Sequence, residues 1–202
     1  WFERNTVGDP IQDAAELFGL GADTGVPLPN ERSGRVMTPE EFAARSEENP
    51  EAFPRGQWQA GDNVNLAIGQ GEMLVTPLQL ANAYGAVATG GVLRSPNVVL
   101  EIRRGGGEVV RTYQPRDIRR IEFQPGWREA LHDGFLGVTS AEGGTAVGAF
   151  AGFPTWRVAG KTGTAQVTGR ADTAVFAAYA PADAPRYAGA AFLEESGFGG
   201  VA

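Results

Sequence analysis

Apolar residues recur at helical spacing through Ile11, Ala14, Ala15 and Phe18. The flanks carry matching punctuation, with Asp9 as cap, Pro10 in the first turn, Gln12 at the third position and Gly19 as the stop. This pattern predicts a short amphipathic helix of about ten residues. Residues 19–39, rich in Gly, Pro, Asp and Asn, predict an ordered loop that seats Val26, Leu28 and Val36 against the fold. Glu40 to Asn49 predicts a charged helical turn. Its pairs Glu40-Glu41 and Glu47-Glu48 form a solvated face, because adjacent helical residues do not face each other. The clearest helix follows Thr76-Pro77-Leu78-Gln79, a capping sequence succeeded by the stripe Leu80, Ala81, Tyr84, Val87 and Ala88 and closed by Gly90-Gly91.

Beyond that helix the period changes. Val98 to Arg104 and Glu108 to Tyr113 flank Gly105-Gly106-Gly107, which predicts a hairpin. Gln124 to Val138 predicts a helix, and Gly143-Gly144-Thr145-Ala146 the turn leaving it. Residues 156–167, 173–179 and 186–193 predict three strands joined by Gly, Pro and Asp turns, an antiparallel meander. The whole is α+β, an antiparallel sheet flanked by helices. Asn65, Gln70 and Gln79 interrupt apolar or Gly-rich runs and are expected to satisfy buried backbone groups where loop meets helix. Trp58, Trp127 and Trp156 are expected to be packing residues.

Composition narrows the function classes. A chain of 202 residues, 42% hydrophobic, has the size and apolar content of one domain. Its net charge of −7 argues against nucleic acid and anionic membrane surfaces as partners. Without cysteine there are no disulfides, thiol nucleophiles or thiolate metal sites, and a lone histidine, His132, excludes a multi-histidine metal site. His132 falls in a helical pattern and is read as structural, so a Ser-His-Asp triad is not expected. No run of 18 apolar residues is present. The abrupt apolar start at Trp1-Phe2 and the Gly-rich end predict a piece of a longer protein.

The chemistry concentrates at Lys161, the one lysine beside sixteen arginines, set in Ala159-Gly160-Lys161-Thr162-Gly163-Thr164-Ala165. Lysine is a compact point charge that can also hand over a proton, where arginine is a planar fork that stays charged. A phosphate-binding loop would need a glycine at Thr155 and a helix after the lysine, and neither requirement is met.

Six motifs stand in order: Phe18-Gly19-Leu20-Gly21, Thr24-Gly25-Val26-Pro27-Leu28-Pro29, Asn65-Leu66-Ala67-Ile68-Gly69-Gln70-Gly71, Thr76 to Ala81, Gly144-Thr145-Ala146, and Gly160 to Ala165. Together the set resembles the transpeptidase domain of class B penicillin-binding proteins of the elongation type, over essentially all 202 residues. The fold this implies is that of penicillin-binding proteins and serine β-lactamases, with residues 1–202 as the C-terminal portion of one transpeptidase domain and the sheet therefore incomplete. Open strand edges of such a fragment predict poor solubility alone.

The family's catalysis implies a nucleophile in Ser-x-x-Lys, a second serine in Ser-x-Asn, and the Lys-Thr-Gly strand. Only the third is present. None of Ser33, Ser46, Ser95, Ser140 and Ser196 has a lysine three residues on, and Ser95-Pro96-Asn97, after the Thr76 helix, is read as coincidence. This chain alone is thus expected to be inactive.

The resemblance implies acyl transfer between peptidoglycan stem peptides ending in D-alanyl-D-alanine, with β-lactam antibiotics as mimics. Lys161 would attract the terminal carboxylate, Thr162 and Thr164 would add hydroxyl donors, Gly163 would let substrate lie along the strand, and the Thr164 N–H would form half of the oxyanion hole. It also implies an extracytoplasmic enzyme anchored by an N-terminal segment beside a membrane glycosyltransferase, with no cofactor and no metal. A serine β-lactamase or D,D-carboxypeptidase would share the sheet, and a non-catalytic module would share the fold. The Ile68 to Ala81 pattern favours the biosynthetic enzymes.

Overall fold

A computed structural model describes residues 9–153 and 155–200. Trp1-Phe2 lies outside them. Helix α1 (Pro10–Leu17) forms where the apolar stripe predicts it, but its start is built differently. Asp9 makes no side-chain cap. Gln12 turns inward, 2% exposed, and donates from Nε2 to the Met37 carbonyl at 3.3 Å. Helix α2 (Pro39–Glu48) is capped by the Thr38 hydroxyl, which accepts from the Glu41 N–H at 3.1 Å. Its Phe42 is buried edge-on against Phe53 and Trp58. In the loop between these helices Val26 and Val36 are buried as expected, whereas Leu28 is exposed.

Helix α3 (Ala60–Ala67), Ala-Gly-Asp-Asn-Val-Asn-Leu-Ala, carries no stripe that predicts it. Asp62 fastens its first turn, accepting from the Gln59 N–H at 2.8 Å and pairing with Arg55. Helix α4 (Pro77–Ala88) has the full reciprocal cap: the Gln79 N–H donates to the Thr76 hydroxyl at 3.2 Å, and the Thr76 N–H donates to Gln79 Oε1 at 2.9 Å. Gln79, 1% exposed, also donates to the carbonyls of Ala22 and Ser33, so one side chain joins the helix start to the loop below it.

Strand β1 (Val92–Ser95) pairs antiparallel with β4 (Arg116–Arg120), and between them β2 (Glu101–Arg103) and β3 (Val109–Thr112) form the expected hairpin. Helices α5 (Trp127–Ser140) and α6 (Val147–Phe150) follow, and then β5 (Ala159–Ala165), β6 (Thr173–Ala180) and β7 (Tyr187–Leu193) make an antiparallel sheet in that order. The α+β arrangement and the meander are those the sequence predicts.

The core lies between this sheet and helices α4 and α5. Ala159, Tyr179, Ala182 and Val87 form its buried centre, with Phe18, Tyr84, Phe123, Phe135 and Leu136 packed around them. Tyr84 stacks on Phe135 at 5.0 Å between centroids. Burial pushes the Tyr84 hydroxyl up to about 12, and burial also raises Tyr179. His132 is structural, its Nδ1 lying 2.9 Å from the Tyr179 hydroxyl. Of the tryptophans, Trp58 packs as expected. Trp127 is 57% exposed, and Trp156, 44% exposed, stacks on Tyr187.

Candidate active site

Strand β5 is held close to β6 because Gly160 has no side chain: a Cβ there would lie 2.7 Å from the Ala177 carbonyl oxygen. Alternation puts Lys161 and Gly163 on one face, opposite Ala177 and Val175, and puts Thr162 and Thr164 on the other, opposite Phe176 and Ala174. Of these side chains, that of Lys161 reaches round to the strand's backbone. Lys161, exposed, curls round so that its Nζ donates to the Thr162 carbonyl at 2.6 Å. Among the described residues β5 pairs only with β6, leaving its other edge open.

That edge has a defined chemistry. The Thr164 carbonyl accepts from Gln70 Nε2 at 2.8 Å, so it points away from β6. In an extended strand the N–H and C=O of one residue point the same way, so the Thr162 and Thr164 N–H groups face the open edge too. The two hydroxyls differ. Thr162, 8% exposed, lies 2.7 Å from the Thr145 hydroxyl, which ties the turn after α5 to the strand. This inward contact departs from the expectation of a hydroxyl open to substrate. The half-buried Thr164 accepts at Oγ1 from the Gly199 N–H at 3.3 Å. Gly199 crosses so close that a Cβ would sit 2.1 Å from the Gly163 oxygen.

No ion pair among the described residues involves Lys161, whose charge is therefore uncompensated by a carboxylate within 4 Å. The site is an open edge. A cavity of about 350 Å³ beside Arg128, His132 and Tyr179 includes none of residues 161–164. Four of the five serines have their hydroxyls engaged by backbone. Ser46, Ser140 and Ser196 donate to nearby backbone carbonyls, and Ser95 donates to the Gly25 carbonyl at 2.8 Å, a structural use that fits the reading of Ser95-Pro96-Asn97 as coincidence. Gln70, Thr145 and Gly199 received no role at the site from the sequence. Gln70 and Thr145 sit in motifs quoted above, which was the available signal. Asn65 is exposed, and its carbonyl accepts from the Ile68 and Gln70 N–H groups.

A helix-flanked antiparallel sheet with a Lys-Thr-Gly-Thr edge strand defines the penicillin-binding class of fold. The chain belongs to the penicillin-binding protein transpeptidase domain family, whose pattern residues 2–202 match. Among its relatives, the peptidoglycan D,D-transpeptidase MrdA of Escherichia coli (strain K12) is 31% identical over 95% of this chain and 31% of its own length. The chain thus spans about a third of that relative. The Helicobacter pylori structure described as a complex between penicillin-binding protein PBP2 and MreC superposes with a TM-score of 0.74 at 32% identity, over 94% of this chain and 33% of that one. A chain from a peptidoglycan synthase complex described as coordinating polymerization and crosslinking gives 0.76 at 30% identity, over 98% and 32%.

Proposed function

We propose that residues 1–202 are the C-terminal portion of a peptidoglycan D,D-transpeptidase and that the open edge of β5 is its donor-substrate edge. The observation that carries this reading is an ammonium free of ion pairs among the described residues at the edge to which the Thr162 and Thr164 carbonyls are directed, and strand geometry places their N–H groups at the same edge. One proton of the Lys161 ammonium is engaged by the Thr162 carbonyl, leaving two for the terminal carboxylate of a D-alanyl-D-alanine stem or a β-lactam. The Thr164 N–H supplies half of the oxyanion hole, a contribution of about 3 kcal/mol where comparable donors have been removed. Thr164 holds its hydroxyl beside that amide, and the bare Gly163 keeps the approach free of side chains. Thr162 acts through its backbone and through the Thr145 contact.

The attacking serine and its base come from sequence outside this chain, because no Ser-x-x-Lys occurs within it. The serine oxygen attacks the penultimate alanyl carbonyl, D-alanine leaves with a proton, and an amine of a second stem resolves the ester. We further propose that the enzyme works at the extracytoplasmic face of the membrane, held by an N-terminal anchor, with a membrane glycosyltransferase as partner; the relatives' peptidoglycan names support the cell-wall setting, and the pairing of polymerization with crosslinking in one of them supports a polymerizing partner. MreC, partner of the Helicobacter pylori protein, is a second candidate.

Treating the intact protein with a fluorescent penicillin and mapping the adduct tests the assignment. One labelled serine outside residues 1–202 is expected, and an adduct on any of the five serines within them would overturn it.

A further inference from the structure

We propose that residues 92–120 form a docking lobe for another protein, and that its occupant is an extended acidic segment carrying aliphatic side chains. The net charge of −7 is unevenly spread. Residues 92–120 hold seven arginines and three acidic residues, a net +4, so the rest of the chain holds ten basic and twenty-one acidic residues, a net −11. Each of the three acids is already engaged inside the lobe: Asp117 pairs with Arg94, Glu101 with Arg103 and Glu108 with Arg104. The surplus therefore lies on Arg111, Arg116, Arg119 and Arg120, all exposed and none in an ion pair among the described residues. Arg119 donates to a neutral acceptor, the Glu16 carbonyl.

The ribbon within this lobe is unfinished. Among the described residues β2 and β3 pair only with each other, so their outer edges are open, and a two-stranded ribbon by itself is marginal in water. The register sets Ile102 opposite Arg111, and the Tyr113 N–H donates to the Leu100 carbonyl at 2.9 Å, which extends the ladder by one pair. Alternation then places Leu100, Ile102, Arg111 and Tyr113 on one face. Leu100 is 74% exposed and Ile102 46%, and the Arg111 guanidinium lies 4.5 Å from the centre of the Tyr113 ring. Cations beside bare aliphatic side chains call for a partner that complements both. A polyanion would answer the arginines and leave Leu100 and Ile102 in water. An anionic bilayer is broad, and would bring the −11 body against like charge. A single acidic strand is narrow enough to meet the lobe alone, can add main-chain hydrogen bonds at an open edge, and covers the aliphatic pair. The lobe shares no residue with the β5 edge, so docking and acylation can be read apart.

The test puts a photo-reactive side chain on that face of the intact protein in its own cells, as Ile102→p-benzoylphenylalanine, with the exposed Glu51 replaced in the same way as a control. After irradiation the adduct is mapped by mass spectrometry. The crosslinked segment is then made as a peptide, and its binding to the intact protein is followed by fluorescence anisotropy. An adduct is expected from position 102 and not from position 51, on a protein segment with more acidic than basic residues and with aliphatic side chains. The peptide should bind about tenfold more weakly to Arg111→Glu, and more weakly again at about 1 M salt, where the screening length falls to about 3 Å. The melting temperature of Arg111→Glu and its acylation by a fluorescent penicillin should match those of the unaltered protein. No adduct, an adduct on lipid or wall glycan, a mapped segment without net negative charge, or binding indifferent to Arg111→Glu overturns the proposal. A loss of acylation in Arg111→Glu overturns it too, by assigning the lobe to the reaction. If position 102 does not tolerate the large side chain, the more exposed Leu100 takes it and decides.

Discussion

At the scale of single residues, Lys161 is the place where charge and geometry agree most closely. Its ammonium reaches the strand edge by bending to the Thr162 carbonyl, a path that a thin stem allows and a planar guanidinium does not. Lys161→Ala in the intact protein should slow acylation by a carboxylate-bearing β-lactam about tenfold to a hundredfold, as expected for a charge-assisted contact of about 1.5–3 kcal/mol. Lys161→Arg should recover only part of the loss. Melting should hardly change in either variant, because the side chain is exposed and forms no ion pair among the described residues. Equal rates in all three proteins would show that the cation does not meet the ligand. The residue type and its strand were legible in the sequence. The inward turn of Thr162 was not, since it depends on Thr145, a residue that comes near only once α5 has folded back over the sheet.

Elements were legible in proportion to how much local chemistry specifies them. Helix α4 announced itself through a cap and a stripe; the cap is in place, and of the stripe Val87 is buried with Tyr84 and Ala88 packed beside it, while Ala83 and Ala86, outside the stripe, are buried as well. Helix α3 gave no such signal, because only Leu66 and Asp62 of its eight residues are buried and the Arg55–Asp62 pair fixes its start. Strands β1 and β4 escaped for another reason. β4 is Arg-Asp-Ile-Arg-Arg, exposed throughout, and its pairing with β1 is a long-range contact with no alternation to betray it. The cap of α4 makes a quantitative prediction. Thr76→Ala removes one acceptor at an N-terminus and should cost about 1 kcal/mol in chemical denaturation. Gln79→Ala should cost more, about 2–3 kcal/mol, because the carbonyls of Ala22 and Ser33 lose the donor that the buried Gln79 supplies as well. If the two variants prove equally stable, Gln79 is only a cap and does not brace the loop.

For the whole molecule, acid and alkali should each open the fold through identifiable groups. Burial works to raise Glu31, but donation from the Thr24 hydroxyl and from the N–H groups of Thr24 and Gly25 outweighs it and holds the carboxyl below its usual 4.5. A depressed folded value contributes stability above pH 4.5 that is lost as the pH falls through the folded value. Tyr84 works at the other end, since its hydroxyl is pushed from 10 to about 12 by burial. Its contribution is complete below pH 10 and is lost as the pH rises toward 12. Denaturation of the intact protein across pH should therefore show both slopes, with Glu31→Gln flattening the acid one and Tyr84→Phe the alkaline one. Slopes unchanged in these variants would assign the titration elsewhere. The ordered motifs made the fold and the Lys-Thr-Gly edge legible, yet the tie between Gln70 and Thr164 was not, because it joins positions 94 residues apart. Such a distance has a temporal meaning. Closing so long a loop is entropically costly until the segments between have condensed. The tie that fixes the outer edge of β5 should therefore close late in biogenesis, after the helices and hairpin between its two ends have taken shape.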